Sequence, residues 1–127
     1  MTRVGCLALV ALLAVSCGAQ SVKLAKLGPS RACLRAHGVR TDERLGADFV
    51  AGTSTGGAFI AHLGKNYVTV VFSDTLDHAN GINDAYHRFH KKNVGIEDVL
   101  RQQANVVMLW HEHPSDADQA RVTGCLK

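Results

Sequence analysis

Apolar positions along this chain change their spacing several times, and each change marks an expected boundary. Val4–Val15 carries no charge at all. Pro29-Ser30 precedes a short helical segment, Arg31–His37, with Ser30 as its expected N-cap and Gly38 as its stop. Residues 39–47 are polar, a loop with some strand character. Two short apolar runs, Asp48–Ala51 and Ala58–Leu63, flank Gly52–Gly57 and read as the arms of a hairpin. Gly64-Lys65-Asn66 is a turn, and Tyr67–Phe72 is rich in β-branched and aromatic residues, the mark of a strand. Leu76, Ala79, Ile82, Tyr86 and Phe89 recur at helical spacing, so Asp74–Lys91 is expected to be a helix capped by Ser73 or Asp74. Asn93–Gly95 breaks it, Val99–Gln102 reads as a short strand, and Asn105–Trp110 reads as a longer one. Pro114-Ser115 opens a last helix, with Asp118 completing a capping-box-like pair.

The runs at 58–63, 67–72 and 105–110 suit neighbouring strands of one sheet. The order of elements predicts an α+β domain over residues 30–127, with a small, mostly antiparallel sheet. Helices are expected on one face of it, as in a ferredoxin-like two-layer sandwich. Residues 18–29 show no core pattern and read as a tether.

The N-terminal run carries a different message. One positive charge, Arg3, precedes the 12 uncharged residues Val4–Val15. That length fits the apolar region of a signal peptide, over residues 1–17, and falls short of the roughly 20 residues that span a bilayer. Leu13-Ala14-Val15-Ser16-Cys17, followed by Gly18, resembles a bacterial lipobox, which implies lipidation at Cys17 and a membrane anchor. Ordinary cleavage near Cys17-Gly18-Ala19 is the alternative, and it implies free secretion.

Of the four cysteines, Cys6 lies in the signal and Cys17 in the lipobox. Cys33 and Cys125 remain, and an even pair outside the cytosol reads as a disulfide, with two buried free thiols as the alternative. Closing a loop of nearly 100 residues stabilises a fold by up to about 4–5 kcal/mol. The absence of CxxC gives no support to thioredoxin-type chemistry or to zinc knuckles.

A net charge of +3 is too small to suggest nucleic acid as a partner. The one local bias runs over residues 20–46, where Lys23, Lys26, Arg31, Arg35, Arg40 and Arg44 meet only Asp42 and Glu43. Such a segment is a solvated surface, or a weak attraction to an anionic membrane.

Two patterns suggest chemistry. Gly52-Thr53-Ser54-Thr55-Gly56 fits G-x-S-x-G, in which a sharp strand-to-helix turn exposes a nucleophilic serine. Phe49–Gly57, followed by Ala61, resembles the elbow of patatin-like phospholipases, which implies a lipid acyl hydrolase with Ser54 as nucleophile. The chain departs from that family in three ways. It has no glycine-rich run upstream of Ser54, none of its eight aspartates precedes a glycine, and a turn follows where a helix should begin. Gly52–Gly57 therefore also reads as a plain hairpin loop. The second pattern is histidine. His111 and His113 alternate at strand spacing, and His87 and His90 stand at i, i+3 on the long helix. Imidazoles so placed suit zinc or copper, or are simply surface residues. His62 and Trp110 read as edge and core residues.

Cys33-Leu34 with Gly38, Tyr67–Phe72 before a helix, Asn105-Val106-Val107 and Gly124-Cys125-Leu126 together resemble small exported proteins and lipoproteins of actinobacteria. That resemblance implies address and fold and brings no activity. The expectation is a non-enzymatic envelope module that binds a protein, glycan or lipid partner or serves as a scaffold, with no cofactor. The alternatives are a serine lipid hydrolase and a periplasmic metal binder.

Overall fold

The computed structural model describes residues 21–89 and 95–127. Its elements are α1 (Leu27–Ala36), β1 (Arg40–Asp42), α2 (Phe49–Gly52), β2 (Ala58–Leu63), β3 (Asn66–Phe72), α3 (Leu76–Phe89), α4 (Ile96–Val99), β4 (Leu100–Gln103), β5 (Val106–Trp110) and α5 (Asp116–Thr123). The strands form one sheet in the order β1-β2-β3-β5-β4, and every neighbouring pair is antiparallel. The expected α+β class and antiparallel sheet are both present.

The layering differs from expectation. Phe59, Val70 and Met108 point to one face, where Leu34 of α1 and Val122 of α5 cover them. Val71 and Val107 point to the other, beneath Ala79 and Ile82 of α3 and Val50 of α2. Helices thus cover both faces, and the fold has three layers rather than a ferredoxin-like two. The physical reason is the segment Val68–Phe72, four apolar residues and Thr69, in which all five residues are buried except for a trace of surface. A strand with one solvated face would alternate.

Residues 48–51 form no hairpin arm. Asp48 caps the short helix α2, its Oδ1 accepting from the Ala51 amide at 2.9 Å. The two glycines after Ser54 are there for packing. A β-carbon on Gly56 would lie 2.9 Å from the Phe72 backbone, and Gly57 has a φ of +85° with Leu27 pressed against it. Close approach and left-handed backbone both call for glycine. The long helix begins at Leu76, with the Thr75 hydroxyl accepting from His78 N, while Asp74 turns away and bonds Thr55. Lys91, at the expected end of that helix, lies outside the described residues.

The two ends of the described chain interlock. Ser30 does not cap α1. It is buried, and its hydroxyl pairs with the Lys127 backbone, accepting from N at 2.9 Å and donating to O at 3.3 Å. Asn105 is buried and pins Ala25 as a neighbouring strand would. Its Oδ1 accepts from Ala25 N, and its Nδ2 donates to Ala25 O and Ser73 O, all within 2.8 Å. Ala25 and Leu27 pack on the core, so the body begins inside the expected tether. Cys33 and Cys125 form a disulfide that joins α1 to the residues just after α5.

Candidate functional site

Strand register sets out the second face in three rows. Ala58, Val71 and Val107 form the row under α3; Ile60, Thr69 and Leu109 form the next; His62 and Tyr67 open the third, which His111 completes by donating its amide to Tyr67 O. Side chains in one row lie side by side. The helix ends its coverage before the third row. An open groove of about 420 Å³ remains, floored by Thr69 and Leu109 and walled by Arg44, Asp48, His62, Tyr67 and His111.

The third row is a line of rings. Tyr67 and His111 stack face to face, with centroids 4.5 Å apart and planes at 13°. His62 flanks Tyr67 at 6.1 Å. His111 is exposed, and His62 and Tyr67 are half-buried. Arg44 stands over the groove with its side chain 94% exposed.

Asp48 is the fixed charge of the site. One carboxylate oxygen caps α2, and the other accepts from the Tyr86 hydroxyl at 2.7 Å. Burial raises the Tyr86 pKa far above the ordinary phenol value, and the Asp48 charge and hydrogen bond push it the same way. Tyr86 therefore stays protonated and holds Asp48 in place. Beyond this pair the groove continues into a second hollow of about 240 Å³, flanked by Phe49 and Phe89. These two rings are 61% and 52% exposed and meet edge to face at 5.4 Å. One end of the groove is thus imidazole and phenol, the other is apolar, and a fixed carboxylate stands between them.

Ser54 lies elsewhere. It follows a helix and precedes a strand, the reverse of the order in a nucleophile elbow. No described carboxylate or imidazole bonds its hydroxyl, and the nearby Asp74 carboxylate takes its bond from Thr55. Of the motif's two glycines, Gly56 is required by its close approach to the Phe72 backbone, whereas a β-carbon on Gly52 would meet open space.

Among the described residues, the histidines named as metal candidates, His87, His111 and His113, do not converge. His87 Nε2 bonds Glu97 at 2.6 Å and His113 Nδ1 bonds Asp98 at 2.7 Å, so each clasps a different carboxylate of α4. The Asn83 carbonyl, first, and then Glu97 raise the His87 pKa. His111 stacks on Tyr67, and His90 lies outside the described residues, as does Cys17. The described Cys, His and acidic side chains that do lie close enough to share an ion are Cys33, His37 and Cys125, with both sulfurs engaged in the disulfide.

Arg44, Asp48, His62, Tyr67 and His37 were not among the expected site residues. His62 and Ile60 share an outward face of β2, which the two-residue period signals. The positions of Arg44 and Asp48 depend on a loop that no period describes. Comparison of the chain with protein-family models, with curated proteins and with solved structures returned no match.

Proposed function

We propose that this chain is a small exported binding module of the cell envelope, catalysing no reaction, and that its ligand is a glycan held in the groove over the open half of the sheet. The observation that carries this reading is the uncovered row His62–Tyr67–His111, standing beside a fixed carboxylate and an exposed guanidinium. A sugar ring has a C–H face and a rim of hydroxyls. Aromatic rings take the first, and Asp48 and Arg44 accept from and donate to the second. An acyl chain calls for an enclosed apolar cavity, whereas this groove is open and charged along its wall.

Export is supported by the Cys33–Cys125 bond, since disulfides persist chiefly in oxidising compartments, and by the signal-like pattern of residues 1–17. No described helix is long and apolar enough to cross a membrane. A lipid on Cys17 would keep the body close to the bilayer. Ala25 is bonded to Asn105, and eight residues reach at most about 30 Å.

Two measurements test the reading. Calorimetric titration with disaccharides from cell-wall polymers should show binding by the wild type, at least about tenfold weaker binding by Tyr67→Ala and His111→Ala, and no change in Ser54→Ala; one decade is about 1.4 kcal/mol. Silence with every glycan, or full affinity in Tyr67→Ala, ends the glycan reading. Intact mass of the native protein should show a chain starting at or just after Cys17, with a diacylglycerol mass if anchored. A chain beginning at Met1 rules out export by cleavage.

A further inference from the structure

His37 closes α1 as its C-cap residue, four positions after Cys33, so one helical turn returns its ring to the disulfide. Its Nδ1 lies 3.9 Å from Cys33 Sγ and 3.9 Å from Cys125 Sγ. Two sulfurs and one imidazole nitrogen, from α1 and from the segment after α5, thus lie within 4.8 Å of one another. Around a tetrahedral zinc ion with bonds of about 2.0–2.3 Å, neighbouring sulfur and nitrogen ligands stand roughly 3.6 Å apart. The ring is already within a few tenths of an ångström of that spacing. The three groups line a cavity of about 280 Å³ together with Arg121 and Lys127. It is large enough for an ion and the water that would complete its coordination.

We propose that reduction of the Cys33–Cys125 bond creates a metal site of two thiolates and the His37 imidazole, suited to Zn²⁺. The step balances with a dithiol reductant. Its two thiols supply two electrons and two protons and close into a disulfide, while Cys33 and Cys125 become thiols. Zn²⁺ then displaces one proton from each thiol, and the resulting bis-thiolate ion site is neutral. Arg121, whose guanidinium bonds the His37 carbonyl, favours the thiolate forms. In the oxidised protein Nδ1 sits 2.8 Å from the Cys33 carbonyl oxygen. On metal binding the ring carries its proton on Nε2 and turns the Nδ1 lone pair to the ion. The same two segments are then tied in either redox state, by a covalent bond or by a metal bridge. The Cα atoms, 5.4 Å apart, leave this change to side-chain rotation.

The test uses the full chain carrying Cys6→Ser and Cys17→Ser, so that only one pair supplies sulfur. A water-soluble phosphine reduces the pair, taking oxygen from water to become its oxide, and is then removed. Titration with Co²⁺ should give one equivalent bound, with a thiolate-to-cobalt charge-transfer band and tetrahedral d–d bands that Zn²⁺ abolishes. The oxidised protein should show neither. His37→Ala should weaken uptake by at least about tenfold, the lower end of what losing even an outer-shell partner costs, while the oxidised variant keeps its fold and loses only the ring's bond to the Cys33 carbonyl. Zinc should raise the melting temperature of the reduced wild type, or restore its circular dichroism if reduction alone unfolds it. Absence of the charge-transfer band, equal uptake by His37→Ala, or no zinc-dependent rise or recovery overturns the proposal.

Discussion

On the first face of the sheet, α1 and α5 close over Phe59, Val70, Met108 and Trp110, and a disulfide, the Ser30–Lys127 pair and the Asn105 clamp gather around them. On the second face, α3 closes over Val71 and Val107 and then stops, leaving the ring row His62–Tyr67–His111 and the Phe49–Phe89 pair in contact with water. One face joins the two ends of the described chain. The other presents aromatic, imidazole and charged side chains that contribute little to the core. The difference teaches where this small body keeps its stability. Cross-links confined to one face leave the opposite face free to carry groups chosen for contact rather than for packing.

The largest way to break that contrast is to cut the staple. Cys33→Ser with Cys125→Ser frees a loop closed across 92 residues, and denaturant unfolding should show a loss of up to about 4–5 kcal/mol. A loss under about 1 kcal/mol would mean that the first face does not depend on it. Asn105→Ala comes next. It strands the buried Ser73 carbonyl and the half-buried backbone groups of Ala25 and should cost about 1–3 kcal/mol, with hydrogen exchange at Ala25 and Lys26 rising well above that of β3. Unchanged protection there would contradict the clamp. On the second face, Tyr67→Ala should lower stability by less than either of these while removing ligand binding.

Smaller effects sharpen the picture. Ala104, between β4 and β5, holds a φ of +50°, a backbone that costs a residue with a β-carbon about 1 kcal/mol. Ala104→Gly should therefore stabilise by about 0.5 kcal/mol after the added freedom of the unfolded chain is deducted; a clear drop in melting temperature would show that strain is absent. The His87–Glu97 clasp is exposed and is worth less than about 1 kcal/mol. Because the folded state raises the His87 pKa, its contribution is fully present below the unfolded value of about 6.5. It fades as pH climbs through the folded value. The stability gap between wild type and His87→Gln should thus be wider at about pH 5.5 than at about pH 8.5, and a gap that grows with pH would refute this sign.

Much of the fold was legible in the sequence. The β-branched run at 67–72, the turn at Gly64-Lys65, the helical stripe from Leu76 to Phe89 and the Ser115 cap all stand where the pattern puts them. The cysteine count pointed to the bond that joins Cys33 and Cys125. The second helical layer was legible too, in the lack of alternation through Val68–Phe72, although the expectation placed helices on one face. Residues 48–57 misled because three apolar residues, Phe49–Ala51, fit a strand or a helical turn equally well, and because Gly56 answers to Phe72, a contact no local pattern records. The site was the least legible part. His62, Tyr67 and His111 become one row only through pairing register, and Asp48 gains its role from Tyr86, 38 positions away.

Amide-resolved NMR during titration with a cell-wall disaccharide addresses the contrast between the faces most directly. Shifts should gather at Ile60, His62, Tyr67, Leu109 and His111, with Asp48 beside them, and leave α1, α5 and the Cys33–Cys125 region unmoved. Shifts gathered on α1 and α5 instead, or none at saturating sugar, would contradict the assignment of binding to the open face.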